Sequence, residues 1–394
     1  MTERELREAL RGAGGEDAAA RERAWRVVRA AYADHAPSRP RRPWILGALA
    51  AAALVAGGVG AAAASSPDSG VGSWVRDVLG VGDHEPTPAL GALPGGGRVL
   101  AQAGGSAWLV SSDGTRRRLG AYAGAAWSPR GRFVLAWRRG TLAALAPDGD
   151  VRWSLSRPAT IGAARWGPVD GFRVAYVAGS QLRIVNGDGM GDRAFAATLP
   201  HVAPAWRPDA SRLLAYAGRD TRVRLVDVDT GRRLWRTAPL EGVSSLAWSP
   251  GGRRVLVTTP RAIVLLDARG RRVASRRVPR GVLVQSPAWS PDGRHVAVVR
   301  RSLAAGRSAV ELLDPARRLR STVLFAGPGR FGTPAWSPDG RRLLVPWPAA
   351  DQWLFLRPRD GGRVAAVGEI AAQFSPGAAG PRFADAVAWC CAAG

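Results

Sequence analysis

Short runs in which apolar and polar residues alternate recur through the last three quarters of the chain, separated by segments rich in Gly, Pro and Asp. Alternation with a period of two is typical of β-strands that bury one face. Clear examples are residues 133–137, 173–177, 213–216 and 255–258. The pattern predicts an all-β region built from many short strands.

A tryptophan followed two residues later by proline precedes most of these runs. The Trp-x-Pro motif occurs six times, and successive tryptophans are 39, 40, 42, 41 and 47 residues apart. This period is that of a four-stranded propeller blade and is too long for ankyrin, tetratricopeptide or leucine-rich units. One tryptophan per blade at the same strand position indicates packing between blades. The motif residues are Trp127, Trp166, Trp206, Trp248, Trp289 and Trp336.

Tight turns after the predicted third strands give the blade count. Seven such turns occur, at residues 113–114, 148–149, 188–189, 229–231, 269–270, 314–317 and 360–361. Seven turns against six motifs leave the first blade without its innermost strand. The sequence Ala-Val-Ala-Trp that ends at Trp389 is similar to the first strands and predicts the missing one, with residues 370–376 as a competing donor. We therefore predict a seven-bladed β-propeller over residues 98–394, closed by a C-terminal strand, with six blades as the alternative.

Residues 289–293 and 336–340 both spell W-S-P-D-G, followed by Arg and an apolar strand. This resembles the TolB-type, WD-like propeller repeat. The resemblance implies the fold, and it implies a role as an exported scaffold that binds proteins, although some relatives precede a hydrolase domain in prolyl-oligopeptidase-like enzymes. TolB itself has six blades, and none of its partner-binding residues can be placed on this sequence.

The segment before the propeller is predicted to cross a membrane once. Residues 44–64 form an uncharged run of 21 residues, long enough for a hydrocarbon core of ~30 Å. Arginines just before this run favour a cytoplasmic N-terminus and an extracytoplasmic propeller, which predicts a single-pass protein of the plasma membrane. The alternative is a cleaved signal peptide ending at residues 62–64, which would export the propeller equally.

Two further segments flank this predicted span. Residues 1–43 are predicted as a cytoplasmic helical arm, with Trp25, Val28 and Tyr32 forming one apolar stripe on an otherwise charged helix. Residues 65–97 are rich in Ser, Gly and Pro and are predicted as a linker.

The chain carries a formal net charge of +25, and all 56 basic residues are arginine. Part of this excess follows from a composition rich in Ala, Gly, Pro and Arg. A strongly basic protein often binds nucleic acid or another polyanion. Because the propeller is predicted outside the cytoplasm, we expect no nucleic acid partner.

No catalytic motif is present, and we expect neither enzymatic activity nor a cofactor or metal. The chain has no G-x-S-x-G elbow for a peptidase, and its four histidines are scattered singly. The aspartates recur at turns, where bonding nearby backbone amides is a sufficient role for them. The two cysteines, Cys390 and Cys391, are adjacent, so they either form a vicinal disulfide or remain as thiols.

The second-to-third-strand loops on one rim of the predicted ring form the candidate ligand-binding surface. Arginine interleaved with aromatic residues can grip carboxylate or phosphate and stack on rings, although a solvated basic surface has the same composition. The candidate residues are Arg138, Arg139, Arg219, Arg222, Arg261, Arg300, Arg301, Arg307, Trp137, Trp347 and Trp353.

Together these features predict a membrane-anchored binding scaffold for a protein or an anionic envelope polymer. The first alternative is a signal transducer whose helical arm docks a cytoplasmic partner. The second is a propeller enzyme that acts on envelope glycans.

Overall fold

The computed structural model describes residues 90–168, 172–359, 363–374 and 382–391. The strands in these ranges form seven four-stranded sheets. The predicted helical arm, the predicted span and most of the predicted linker lie outside the described residues. Within the described ranges, no helix has the length and apolar content needed to cross a membrane.

Each blade contains four strands in antiparallel order. Blade 1 contains β1 (Arg98–Ala103), β2 (Ser106–Val110), β3 (Arg116–Gly120) and the last strand of the chain, β28 (Ala384–Cys390). Blade 2 contains β4 (Gly124–Trp127), β5 (Val134–Arg138), β6 (Thr141–Leu145) and β7 (Val151–Ser156). Blade 3 contains β8 (Ile161–Trp166), β9 (Arg173–Ala178), β10 (Gln181–Asn186) and β11 (Arg193–Ala197).

The remaining blades follow in chain order. Blade 4 contains β12 (Ala205–Trp206), β13 (Leu213–Ala217), β14 (Val223–Asp227) and β15 (Arg233–Arg236). Blade 5 contains β16 (Ser245–Trp248), β17 (Arg254–Thr258), β18 (Ala262–Asp267) and β19 (Arg272–Arg277). Blade 6 contains β20 (Val282–Trp289), β21 (Val296–Ser302), β22 (Arg307–Asp314) and β23 (Arg320–Pro328). Blade 7 contains β24 (Ala335–Trp336), β25 (Leu343–Trp347), β26 (Gln352–Arg357) and β27 (Arg363–Val367).

The C-terminal strand closes the ring. β28 pairs antiparallel with β1, with Trp389 opposite Val99 and Val387 opposite Ala101. The first strand of every blade contacts the first strands of both neighbouring blades, including β28 with β4. The prediction of seven blades is confirmed. The competing donor, residues 370–376, instead begins with a short helix, α1 (Ile370–Gln373).

The apolar core lies between blades. The cluster between blades 4 and 5, for example, joins Leu213 and Leu225 to Val255 and Val257. Fourth strands are largely exposed, as the pattern of β3 and β7 shows. Six of the third-to-fourth-strand pairs contain a register shift, which strengthens the local twist of each blade.

The motif tryptophans link neighbouring blades by hydrogen bonds as well as by packing. The indole N–H of Trp248 donates to the carbonyl oxygen of Ala205, the residue before Trp206 in the preceding blade, at 3.1 Å. Four more tryptophans donate to the equivalent carbonyl, namely Trp206, Trp289, Trp336 and Trp127. The bond from Trp127 to Ala388 spans the junction between the last strand and blade 2. We call this set the inner belt.

A second set of bonds runs the other way around the ring. In these bonds a fourth-strand side chain donates to a carbonyl oxygen in the third-to-fourth-strand turn of the following blade. The donors are Arg117, Trp153, Arg193, Trp235 and Arg276, with acceptors Asp148, Gly187, Val228, Ala268 and Leu319. We call this set the outer belt. Blades 2, 4 and 5 are thus bonded to the preceding blade near the axis and to the following blade at the periphery.

Because successive strands of a blade run in opposite directions, their connections lie on two opposite rims of the ring. The loop rim carries the second-to-third-strand loops, residues 104–105, 139–140, 179–180, 218–222, 259–261, 303–306 and 348–351, together with the links between blades. The turn rim carries the Trp-x-Pro turns and the third-to-fourth-strand turns.

The first described residues pack against blade 1 on the turn rim. Leu90 and Leu93 are buried there, and the N–H of Leu93 donates to the carbonyl oxygen of Ser112 at 2.8 Å. These two residues, assigned to the linker from sequence, therefore pack as part of the propeller.

Candidate functional site

Four of the candidate arginines are exposed on the loop rim: Arg138, Arg139, Arg219 and Arg261. Arg138 lies over the ring of Tyr122, at 5.9 Å from its centroid. Among the described residues, no carboxylate lies within ion-pair distance of any of the four. Within the described ranges, no neighbouring carboxylate therefore neutralises their charge.

The other candidate arginines have partners within the protein. Arg222 donates to the carbonyl oxygen of Thr237 at 2.9 Å and lies 3.8 Å from the carboxylate of Asp220. Arg300 pairs with the buried carboxylate of Glu311 at 2.5 Å. Arg307 also has an internal partner. Arg301 is only half-buried, but its Nε atom is enclosed and has no partner within the described ranges.

Asp220 is the acidic residue in the loop of blade 4, but its charge is already paired with Arg224 and does not neutralise Arg219. A hydrogen bond from Arg224 at 2.5 Å is the main cause that lowers the pKa of Asp220 to about 2. The carboxylate is ionised at neutral pH and already paired with Arg224, so Arg219 in the same loop is left without a counter-charge.

The three candidate tryptophans are buried, so they offer no ring face for stacking. Trp353 is 0% exposed, and its N–H donates to the carbonyl oxygen of Ala384 at 3.1 Å. Trp347 donates to Pro328 at 3.0 Å and packs edge-on against Phe331. Trp137 lies over Gly124, where an added Cβ would meet its ring. Their hydrophobic surface supports the rim from beneath.

A pocket that was not predicted from the sequence lies on the same rim. A cavity of about 390 Å³ opens where the first strands of blades 5, 6, 7 and 1 begin. Its polar lining comes from Ser244, Ser245, Thr258, Gln285, Arg330, Thr333 and Asp385. Arg330 and Asp385 form an ion pair, with 47% and 38% of their side chains exposed.

The hydroxyl groups on one side of the pocket form a connected cluster. Ser244 Oγ lies 2.8 Å and Ser245 Oγ lies 2.5 Å from Thr258 Oγ1. Ser244 Oγ also donates to the carbonyl oxygen of Thr258 at 3.2 Å. The fixed positions of these groups give the pocket a built polar wall.

Two of the candidate tryptophans lie directly behind the pocket. Trp347 contacts Phe331, a fully buried lining residue, and Trp353 bonds Ala384, the residue before Asp385. The predicted aromatic residues thus position the pocket wall and do not form the binding surface itself.

A signal for the pocket is present in the repeats once they are aligned on their tryptophans. The residue four positions before the tryptophan lines the pocket in four successive blades, as Ser244, Gln285, Gly332 and Asp385. The equivalent residues of the other three blades are Ala123, Gly162 and Val202. Polar residues at this position are confined to one side of the ring, and the pocket lies on that side.

The aspartates of the repeat motif are held in their turns. Asp292 Oδ1 accepts from Ser290 Oγ at 2.6 Å and from the N–H of Arg294 at 3.0 Å. Burial raises its pKa, but these hydrogen bonds and the charge of Arg359 outweigh burial, so the pKa lies below its usual value. Asp339 repeats the arrangement with Ser337. In both motifs the following glycine has positive φ, 68° and 65°, which closes the turn without a Cβ clash.

Two buried carboxylates, Glu311 and Asp192, serve the packing of blades. Glu311 binds both Arg276 and Arg300, which come from neighbouring blades. Asp192 binds Arg157 and Arg183 and accepts a hydrogen bond from the buried Tyr176. Among the described residues, no group of three or more His, Cys, Asp or Glu side chains is placed to hold a metal ion.

Cys390 and Cys391 are joined by a disulfide between adjacent residues at the end of β28. The Sγ atom of Cys391 faces the turn of blade 2, at 3.9 Å from the carbonyl oxygen of Pro129. The pair therefore lies on the turn rim, away from the loop-rim pocket.

These features define a seven-bladed β-propeller with WD-like repeats. No protein-family model matches the sequence, and no curated protein matches it. Similar solved structures include hydrazine synthase from Kuenenia stuttgartiensis, with a TM-score of 0.49 and 13% identity over 59% of this chain and 75% of that one. The β-propeller domain of Cps50 (Swd1) from Myceliophteria thermophila has a TM-score of 0.49 and 14% identity over 63% of this chain and 86% of that one. Similarity at this level carries no argument about function.

Proposed function

We propose that the protein is a non-enzymatic binding scaffold of the TolB-like type, which uses its loop rim to bind an anionic envelope polymer or an acidic protein surface. The observation that carries the proposal is the set of exposed arginines at positions 138, 139, 219 and 261, which have no carboxylate partner within the described ranges. They belong to three different blades, so they present a spread of charge suited to an extended ligand.

Arginine suits such a ligand because its planar guanidinium group binds carboxylate or phosphate through two parallel hydrogen bonds. Several such contacts spread over one rim favour a polymer or a protein surface over a small ion. A further exposed arginine, Arg280, lies in the link between blades 5 and 6 on the same rim and was not among the candidates predicted from the sequence.

The proposed location rests on the sequence before the propeller. The uncharged residues 44–64, preceded by arginines, are the basis for a single span of the plasma membrane with the N-terminus in the cytoplasm. A propeller outside the cytoplasm would meet envelope polymers and exported proteins, and it would not meet nucleic acid.

A role without catalysis agrees with how the carboxylates are used. The aspartates of the repeat motif bond backbone amides in turns. The buried carboxylates of Asp192 and Glu311 each bind one arginine of their own blade and one from the preceding blade. Glycoside hydrolysis requires two facing carboxyl groups a few ångströms apart. In the loop-rim pocket the described lining contains one carboxylate, Asp385, and it is paired with Arg330.

The test is binding of polyphosphate and of poly-glutamate, as phosphate and carboxylate polymers, by the full-length chain in detergent. Changing Arg138, Arg139, Arg219 and Arg261 together to Ser should weaken binding by at least about tenfold, because each charge-assisted contact contributes more than a neutral hydrogen bond. It should also reduce the dependence of binding on salt concentration.

The control is a variant of equal charge on the turn rim. Arg130, Arg232, Arg253 and Arg269 are also exposed, and changing these four to Ser removes the same charge from the opposite rim. Binding should change by less than about twofold in this variant. Equal losses in the two variants would show that the polymers sense only the net charge, and the proposal would then be wrong.

A further inference from the structure

We propose that the loop-rim pocket is a second binding site, specific for a neutral ligand rich in hydroxyl groups, such as one sugar unit of a glycan. The basis is a cluster of three hydroxyls, a fourth hydroxyl from Thr333, one amide and one Arg-Asp ion pair around a single cavity of about 390 Å³. The site is separate from the four exposed arginines of the proposed polymer-binding surface.

The charge of the pocket favours a neutral ligand. Arg330 and Asp385 are the ionisable groups of its described lining, and they neutralise each other. An anion or a zwitterion would have to break this pair to reach the charged groups. A ligand hydroxyl can accept from the guanidinium and donate to the carboxylate while the pair stays intact, since a hydroxyl is both donor and acceptor.

The hydroxyl cluster favours a ligand that donates hydrogen bonds. Each hydroxyl has one hydrogen and two lone pairs. Ser244 can donate to the Thr258 carbonyl, Thr258 to Ser244, and Ser245 to Thr258, so all three hydrogens find acceptors within the cluster. The remaining lone pairs accept from the ligand. Carboxylates have no hydrogen to donate and the phosphate dianion has only one, which disfavours both at this wall.

The shape and rigidity of the pocket agree with a compact polar ligand. Its volume lies in the range of small-molecule sites, about 300–1,000 Å³. Phe331, the aromatic residue of the lining, is 0% exposed, so the pocket presents no ring face for a nucleobase or another planar ligand. The bond from Trp353 to Ala384 and the contact of Trp347 with Phe331 hold two walls in place.

The probes are the methyl glycosides of glucose, galactose, mannose and N-acetylglucosamine, with inorganic phosphate and glycylglycine as charged comparators. Binding is measured by saturation-transfer NMR and titration, using the full-length chain in a detergent without a sugar headgroup. We expect at least one glycoside to bind, and to bind more tightly than phosphate or glycylglycine.

Two variants test the assignment. The double variant Arg330→Gln with Asp385→Asn should weaken glycoside binding by at least about tenfold, because both groups contribute charge-assisted hydrogen bonds. Ser245→Ala should weaken it by about fivefold, since it removes one acceptor of the wall. The matched control is Arg173→Gln with Asp229→Asn, an Arg-Asp pair at 2.7 Å on the turn rim, which should leave binding unchanged.

Each outcome bears on the site. Loss of binding in the pocket variants, with an unchanged circular dichroism spectrum and melting temperature, supports it. The assignment is overturned if no glycoside binds, if phosphate or glycylglycine binds more tightly, or if Ser245→Ala and the pocket double variant both bind like the wild type.

Discussion

At the scale of single residues, the side chain of the motif tryptophan has two roles. Its ring fills the seam between blades, and its indole N–H donates to the carbonyl beside the preceding tryptophan, as Trp289 does to Ala247 at 3.1 Å. Trp166 is an exception: its buried Nε1 atom has no hydrogen bond partner among the described residues, and its ring stacks on Phe133. This difference separates the contribution of the hydrogen bond from that of packing.

We predict that Trp289→Phe destabilises the propeller by about 1 kcal/mol more than Trp166→Phe does. Both changes remove a similar volume from a half-buried ring, but Trp289→Phe also leaves the carbonyl oxygen of Ala247 without its donor. Removal of the unpaired donor of Trp166 carries no such cost. Urea unfolding of the two variants measures the difference, and equal destabilisation would show that the inner belt acts by packing alone.

The sequence predicts the position of these residues better than their partners. Recurrence of the tryptophans indicates packing, yet the acceptor of each bond belongs to another blade and follows only from the closed ring. The rim arginines show the same limit. Arg300 and Arg261 both lie near loops in the sequence, but only Arg300 reaches a buried carboxylate, Glu311, on the adjacent strand. No local pattern distinguishes the two.

At the scale of elements, spacing between motifs predicts strand length. The longest of the five motif intervals, 47 residues, falls in blade 6, whose strands contain eight, seven, eight and nine residues. The closing strand also follows from the sequence, because Ala-Val-Ala-Trp resembles the other first strands. The pocket is harder to predict, because its lining comes from four successive blades whose first strands meet only near the axis of the closed ring.

We predict that a chain ending at Phe383 is destabilised by on the order of 5 kcal/mol or more, because it lacks β28 and leaves β1 as an exposed edge. Val387 and Ala384 would also lose their buried positions. Thermal unfolding and light scattering of the full-length and shortened chains measure the effect. A chain ending at Cys391 is the control and should behave like the wild type, whereas a stable, monomeric chain ending at Phe383 would contradict the closure.

At the scale of the whole molecule, the proposed location determines which ligands the propeller meets. We predict that alkaline phosphatase fused after Gly394 is active in cells and that a fluorescent protein fused at the same place is dark, because the proposed span exports everything that follows it. The same fusions on a chain with Leu46, Leu49 and Leu54 changed to Arg provide the control, since added charges prevent membrane insertion. Fluorescence with an inactive phosphatase in the unaltered chain would contradict the proposed topology.

The positions of the two ends of the described propeller determine on which rim a tether or a tag attaches. Arg98 pairs with Cys390, and Leu90 packs beside the turn of blade 1, so both ends of the described propeller leave from the turn rim. A tether before Leu90 and a tag after Cys391 would both attach on that side. The pocket and the four exposed arginines lie on the opposite rim, facing away from both points of attachment.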